Sequence, residues 1–255
     1  MPRTALALST LISALALTGA LACDNTVTDK PHASSRIKLA GAGPVAAGTS
    51  APAVALNPEA GKEIGMVFES YLSPFQEPGE EADTPARTPE QFKSTTPSKP
   101  RAQREADGHS GHGVVRFTKD LSRAYVDVKL GGIDPKTINM FHIHCGEPGL
   151  LGPILVDFAQ ATDIQQNFSD DGVFSVEITN EHITKTSQHG HGIVAAFANG
   201  CVIKSPSLEG LKPLKVSTVA GMAQIALERE LYFNVHTTGQ TYYGDVRGQL
   251  HPVED

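Results

Sequence analysis

At 255 residues, with a formal charge of −7 and 40% hydrophobic residues, the chain has room for one or two domains, and its low-complexity stretches reduce that to one. The acidic balance and the absence of a long Lys/Arg cluster argue against nucleic acid as a partner, because phosphate recognition needs a concentrated basic surface. No Gly-x-Ser-x-Gly elbow, His-Glu-x-x-His helix or Gly-rich phosphate loop occurs, which weighs against hydrolase and nucleotide-dependent chemistry.

Residues 1–23 read as an export signal: Arg3 is a short basic start, and Ala5 to Ala22 form an uncharged run of small and apolar residues. The run ends in Ala20-Leu21-Ala22-Cys23, which fits an A-x-A cleavage site and also a lipobox whose Cys23 would be acylated. Ala20 stands where a lipobox usually has Leu, so plain secretion and a lipid anchor both stay open. No later apolar run reaches the roughly 20 residues that span a bilayer, so membrane association is expected only through such an anchor. The expected location is the periplasm, the outer cell envelope or the medium.

Residues 24–62 are rich in Ala, Pro, Ser, Thr and Gly and read as a flexible tether. The folded part is expected over 63–252, opening with a strand at Gly65 to Leu72. Residues 79–108, with five prolines between Glu77 and Gly108, read as a mobile inserted loop. Val114 to Thr118 and Ala124 to Leu130 follow as a hairpin, and further period-two runs lie at Asn139 to His144, Ile154 to Phe158, Val173 to Ile178, Leu231 to Thr237 and Gly244 to Leu250. Helical spacing of Met222, Ile225, Ala226 and Leu227 predicts one short helix within Val219 to Glu230. The expectation is an all-β protein: an antiparallel, Greek-key-like sandwich or barrel with one short helix and long disordered segments.

Phe141-His142-Ile143-His144, Gly146-Glu147-Pro148-Gly149 with Gly152-Pro153, Leu231 to Thr237, and Gly244-Asp245-Val246-Arg247-Gly248-Gln249-Leu250 occur in that order. Together with Gln76-Glu77-Pro78 they resemble the chordin-type (CHRD) domain, with its His-Ile-His step, Gly-Pro step, Tyr-x-Asn-Val-His-Thr strand and final Arg-Gly strand. The resemblance implies a β-sandwich and, in some settings, protein binding, here to an extracellular or periplasmic partner. Two features depart from the pattern: Cys145 replaces a usual Gly, and the segment around His182, His189, His191 and Cys201 has no counterpart.

Strand alternation puts His142 and His144 on one side and Phe141 and Ile143 on the other. The same count turns Tyr232, Asn234 and His236, and then Asp245, Arg247 and Gln249, to a polar outer face. If the strands are neighbours, His142, His144 and His236 can converge as ligands for copper or zinc, with Asn234, Asp245 and Arg247 supporting them. The competing reading is a metal-free polar network. The His-x-His step also resembles the copper-binding step of copper/zinc superoxide dismutases, themselves β-sandwiches. Two Gly-flanked pairs, His109 with His112 and His189 with His191, are lesser candidates. In an oxidising compartment Cys145 and Cys201 are expected to form a disulfide, the alternative being two separate buried thiols. The function read from these residues is a cell-envelope binding module with a His-based metal site; the alternative is a copper-dependent redox enzyme acting on superoxide, with Arg247 attracting the anion.

Overall fold

The structure is a computed structural model that describes residues 57–188, 201–203 and 214–254. The export segment, Cys23 and most of the tether, together with His189 and His191, lie outside the described residues.

Two antiparallel sheets face each other. The first has five strands in the order β11-β1-β2-β3-β6, formed by β1 (Ile64–Leu72), β2 (Ser110–Thr118), β3 (Arg123–Gly131), β6 (Val173–Thr179) and β11 (His251–Pro252). The second has four, in the order β10-β9-β4-β5, formed by β4 (Ile138–Cys145), β5 (Ile154–Asp157), β9 (Leu231–Thr237) and β10 (Val246–Gln249). A two-stranded piece, β7 (Val202–Ile203) with β8 (Leu214–Lys215), stands apart from both. The all-β sandwich expected from the strand spacing is therefore the observed architecture.

Period-two patterning explains the layers. Phe68, Val115, Phe117, Val126 and Val128 point inward from the first sheet and Phe141, Ile143, Phe233, Val235 and Val246 from the second, and all are buried. Phe141 sits at the centre, its ring centroid 4.4 Å from that of Phe158, 5.0 Å from Phe174 and 5.8 Å from Phe233. Burying each such side chain contributes about 1.5–3 kcal/mol, which fixes the strand register, since a slip of one residue would turn Phe141 out and His142 in.

The predicted helix is present as Val219–Leu227, with Thr218 as N-cap accepting from the Gly221 N–H. The expectation of a single helix is corrected: among the described residues three more short ones, α1 (Arg101–Ala106), α2 (Ile164–Asp171) and α3 (Asn180–Gln188), precede it, and it is numbered α4 here. None of the helices among the described residues is long and apolar enough to cross a membrane.

Residues 79–108, read from composition as a loose insertion, are packed against the β9–β10 connection. Buried Glu81 accepts from the Tyr242 and Tyr243 N–H groups, each at 3.1 Å. Gln240 Nε2 donates to the Lys99 carbonyl at 2.8 Å, and fully buried Arg104 donates to the Asp245 carbonyl. Just before this segment, Gln76 Oε1 accepts the Gln249 N–H at 3.0 Å, occupying a backbone donor on the edge strand β10.

Candidate metal centre

β4 and β9 are neighbours, with Met140 opposite His236, His142 opposite Asn234 and His144 opposite Tyr232. Because all three histidines occupy the non-core positions of this pair, they meet on the outer face of the second sheet. Their donor nitrogens lie within 4.8 Å of one another. The face is not solvated, as alternation alone suggested. His142, His144 and His236 are only 5%, 7% and 5% exposed, because the Gly146–Pro153 loop, the Thr241-Tyr242 segment and Phe92 wall them in.

His144 and His236 each have one nitrogen engaged by a carbonyl and one left over. His144 Nδ1 lies 2.9 Å from the Gly152 carbonyl oxygen and His236 Nδ1 lies 3.1 Å from that of Thr241. A carbonyl can only accept, so both Nδ1 atoms carry the proton and both Nε2 atoms present lone pairs. His142 is turned the other way: its Nε2 faces Asp157 Oδ1 at 3.7 Å, too far for a hydrogen bond. What remains is His142 Nδ1, His144 Nε2 and His236 Nε2, all buried and all without a hydrogen-bond partner.

Burial, reinforced by the two neighbouring imidazoles, holds His142 well below the ordinary value of 6.5. Burial likewise lowers His144 to about 3 and His236 to about 4. All three rings are thus neutral at physiological pH, the state in which imidazole ligates metals. A buried polar atom left unsatisfied costs about 1–3 kcal/mol, and three such imidazoles with ligand atoms within 4.8 Å of one another could hold a metal ion. The residues present fit a transition ion.

The supporting residues divide. Asn234, opposite His142, lines the cavity and donates Nδ2 to the Tyr243 carbonyl at 3.1 Å, leaving Oδ1 unpartnered. Asp245 makes no hydrogen bond to the trio; it accepts from Thr237 Oγ1 at 2.9 Å and pairs with His109 Nδ1 at 2.6 Å. Arg247 lies over the Tyr232 ring at 3.5 Å, and Tyr232 also stacks on His144 with centroids 5.0 Å apart. Its guanidinium donates to the Leu150 and Glu147 carbonyls at 2.7 and 3.0 Å, so Arg247 clamps the loop that walls the site and is not open to the cavity. His112 is half exposed beside Glu69 at 3.4 Å and Tyr71, away from the trio.

Three contributors escaped the sequence reading. Asp157 reaches His142 because β5 pairs with β4, placing the two residues opposite each other. The Gly152 and Thr241 carbonyls orient the other two rings from loops. Only for Gly152 was there a signal, the Gly-Pro step: a Cβ there would lie 1.8 Å from the Cys145 carbonyl oxygen, so no other residue fits.

Cys145, directly after His144, is bonded to Cys201 with Sγ atoms 2.02 Å apart, which joins the end of β4 to the start of β7. Beside the histidines a cavity of about 270 Å³ opens, lined by Phe92, Met140, Leu151, Ile154, Ala159 and Tyr242 among others.

No curated protein and no solved structure matches this chain. A family model described as the CHRD domain matches residues 92–250, more than half of the chain and the whole span from Phe92 at the cavity to the end of β10. The protein belongs to the CHRD domain family.

Proposed function

We propose that this CHRD domain is an exported binding module whose ligand is a transition-metal ion held by His142, His144 and His236. The observation that carries the reading is the set of three buried, converging nitrogens with no hydrogen-bond partner. Imidazole donors suit copper and zinc, and with no thiolate or carboxylate in the set copper binds ahead of zinc at equal availability. Asp157 orients His142, and the Gly152 and Thr241 carbonyls orient the other rings, as the partners of metal-bound histidines do. Export is supported by the pattern of residues 1–23 and by the Cys145–Cys201 bond, which suits an oxidising compartment.

Metal content is the test. The full chain is incubated separately with copper and zinc, freed of excess and analysed by mass spectrometry beside the His142→Ala/His144→Ala variant. One ion per chain, lost in the variant, is expected; no retained ion in the unmodified protein overturns the reading.

A second reading, a copper-dependent redox enzyme, is favoured by one observation: the three-nitrogen set opens onto a cavity, which leaves a coordination position for an exogenous molecule. Bound copper would supply one-electron chemistry there. Buried Arg247 is not available to draw superoxide in, so steering by that residue is no part of this reading. Dismutation by the copper-loaded protein, abolished in the same variant, is its test.

A further inference from the structure

The cavity at the histidines differs from the usual entrance to an anion-processing centre. Its walls include Phe92, Met140, Leu151, Ile154, Ala159 and Tyr242, and among the described residues no Lys or Arg lines it. Among the described lining residues the charged group is the carboxylate of Asp157, which repels anions. Arg247 is spent on two carbonyls and lies over the Tyr232 ring. An anion entering would shed water against apolar walls with no cationic side chain among the described lining residues to replace it, and desolvating an ion without compensation is costly.

The space is the right size for something else. A dry apolar cavity of about 150 Å³ accommodates benzene, so about 270 Å³ holds one ring with a substituent or two. The three unpartnered imidazole nitrogens belong to residues of a mostly apolar lining, to which Asn139, Asp157 and Thr241 add a few further polar groups. That is the usual build of a small-molecule site: apolar walls that supply affinity and a few polar atoms that fix orientation.

We infer that this cavity receives an uncharged, single-ring molecule with one lone-pair donor, ring against the Phe92, Met140 and Leu151 walls and donor atom toward the ion on the three histidines. The inference rests on the metal reading above and specifies the ligand class of that site. Small inorganic anions are the disfavoured class.

The test uses the full chain loaded with copper(II), its metal content measured first, and titrated in parallel with pyridine and with azide under electron paramagnetic resonance. Both probes donate nitrogen to copper; they differ in charge and in apolar area. Two wall variants, Leu151→Ser and Met140→Ser, are titrated alongside, neither of them a residue that holds the ion. The expected result is pyridine bound at least about tenfold more tightly than azide, that preference falling about tenfold in each wall variant, with copper content unchanged. Copper retained with azide preferred, or pyridine affinity unmoved by both substitutions, overturns this inference and leaves the metal site standing. Copper not retained by the unmodified protein overturns the metal reading itself.

Discussion

His142 is the least symmetric member of the trio, since its free nitrogen is Nδ1 and its Nε2 faces a carboxylate where the other two rings face carbonyls. Asp157 is itself fixed, accepting from the Ala159 N–H at 3.0 Å and from Gln160 Nε2 at 3.1 Å. Asp157→Asn keeps the shape and removes the charge, so metal retention is expected to weaken by about 10- to 100-fold with little change in the folded baseline, measured by competition with a chelator. Glu77 offers a second prediction at this scale. It is fully buried with both oxygens unpartnered, and burial pushes its carboxyl from 4.5 up to about 8 despite the opposing pull of Arg247, Arg104 and Arg101. The folded chain thus binds this proton more tightly than the unfolded one, so the contribution of Glu77 to stability is fullest below about pH 4.5 and is lost as pH rises toward 8, opposite in sign to that of the three histidines, whose lowered values remove stability as pH falls below 6.5. At about 1.4 kcal/mol per tenfold difference in proton affinity, the decline is on the order of a few kcal/mol. Glu77→Gln, which mimics the neutral acid, is expected to remove that contribution, read as the difference in stability between the two proteins in denaturant melts at pH 5 and pH 8; the same difference at both pH values would refute the assignment. Of these residues, the histidine trio was legible because alternation and a shared pair of strands suffice to align it. Asp157 was not, because its placement depends on the register of a third strand.

The strands carry their identity in short alternating runs, and those of β1, β3, β4 and β9 were readable for that reason. The helices α2 and α3 were not, because each spends only one side chain per turn on the core, Ile164 and Phe168 in one and Ile183 and Thr186 in the other. A capping signal did exist for α2, where Asp163 accepts the Gln166 N–H at 2.9 Å. The segment 79–108 was opaque for a different reason. Its few anchors, Glu81 and Arg104, find partners about 140 to 160 residues away, which no local pattern announces. The loop between β4 and β5 shows how closely such pieces are set: Gly152 offers its N–H to Tyr232 at 2.9 Å and its carbonyl to His144. Gly152→Ala, which would drive a Cβ into the Cys145 carbonyl, is expected to displace that carbonyl from His144. Both stability and metal retention should fall; a variant with unchanged metal affinity would show that the loop does not orient the ring. Removing the disulfide by Cys145→Ser/Cys201→Ser acts on the same end of β4 and is expected to cost about 2–4 kcal/mol, read as an earlier unfolding midpoint.

At the scale of the whole molecule, the sandwich devotes one side of its second sheet to the core and the other to the histidines. β4 and β9 are both central strands of that sheet, flanked by β5 and β10. An ion joining His142 and His144 on one to His236 on the other therefore links strands whose opposite sides hold Phe141, Phe233 and Val235, so it cannot bind the unfolded chain with the same geometry. Binding to the folded state alone raises stability with ligand concentration, by about 2.7 kcal/mol when the free ion stands at a hundred times its dissociation constant. For a domain of this size each kcal/mol moves the midpoint by about 2–4 °C, which makes the expected rise roughly 5–10 °C. The shift should vanish in His142→Ala/His144→Ala and persist in Leu151→Ser, because the first removes donors and the second only a wall. A copper-dependent rise that survives loss of the histidines would place the ion elsewhere on the chain, and the three unpartnered nitrogens would then need another occupant.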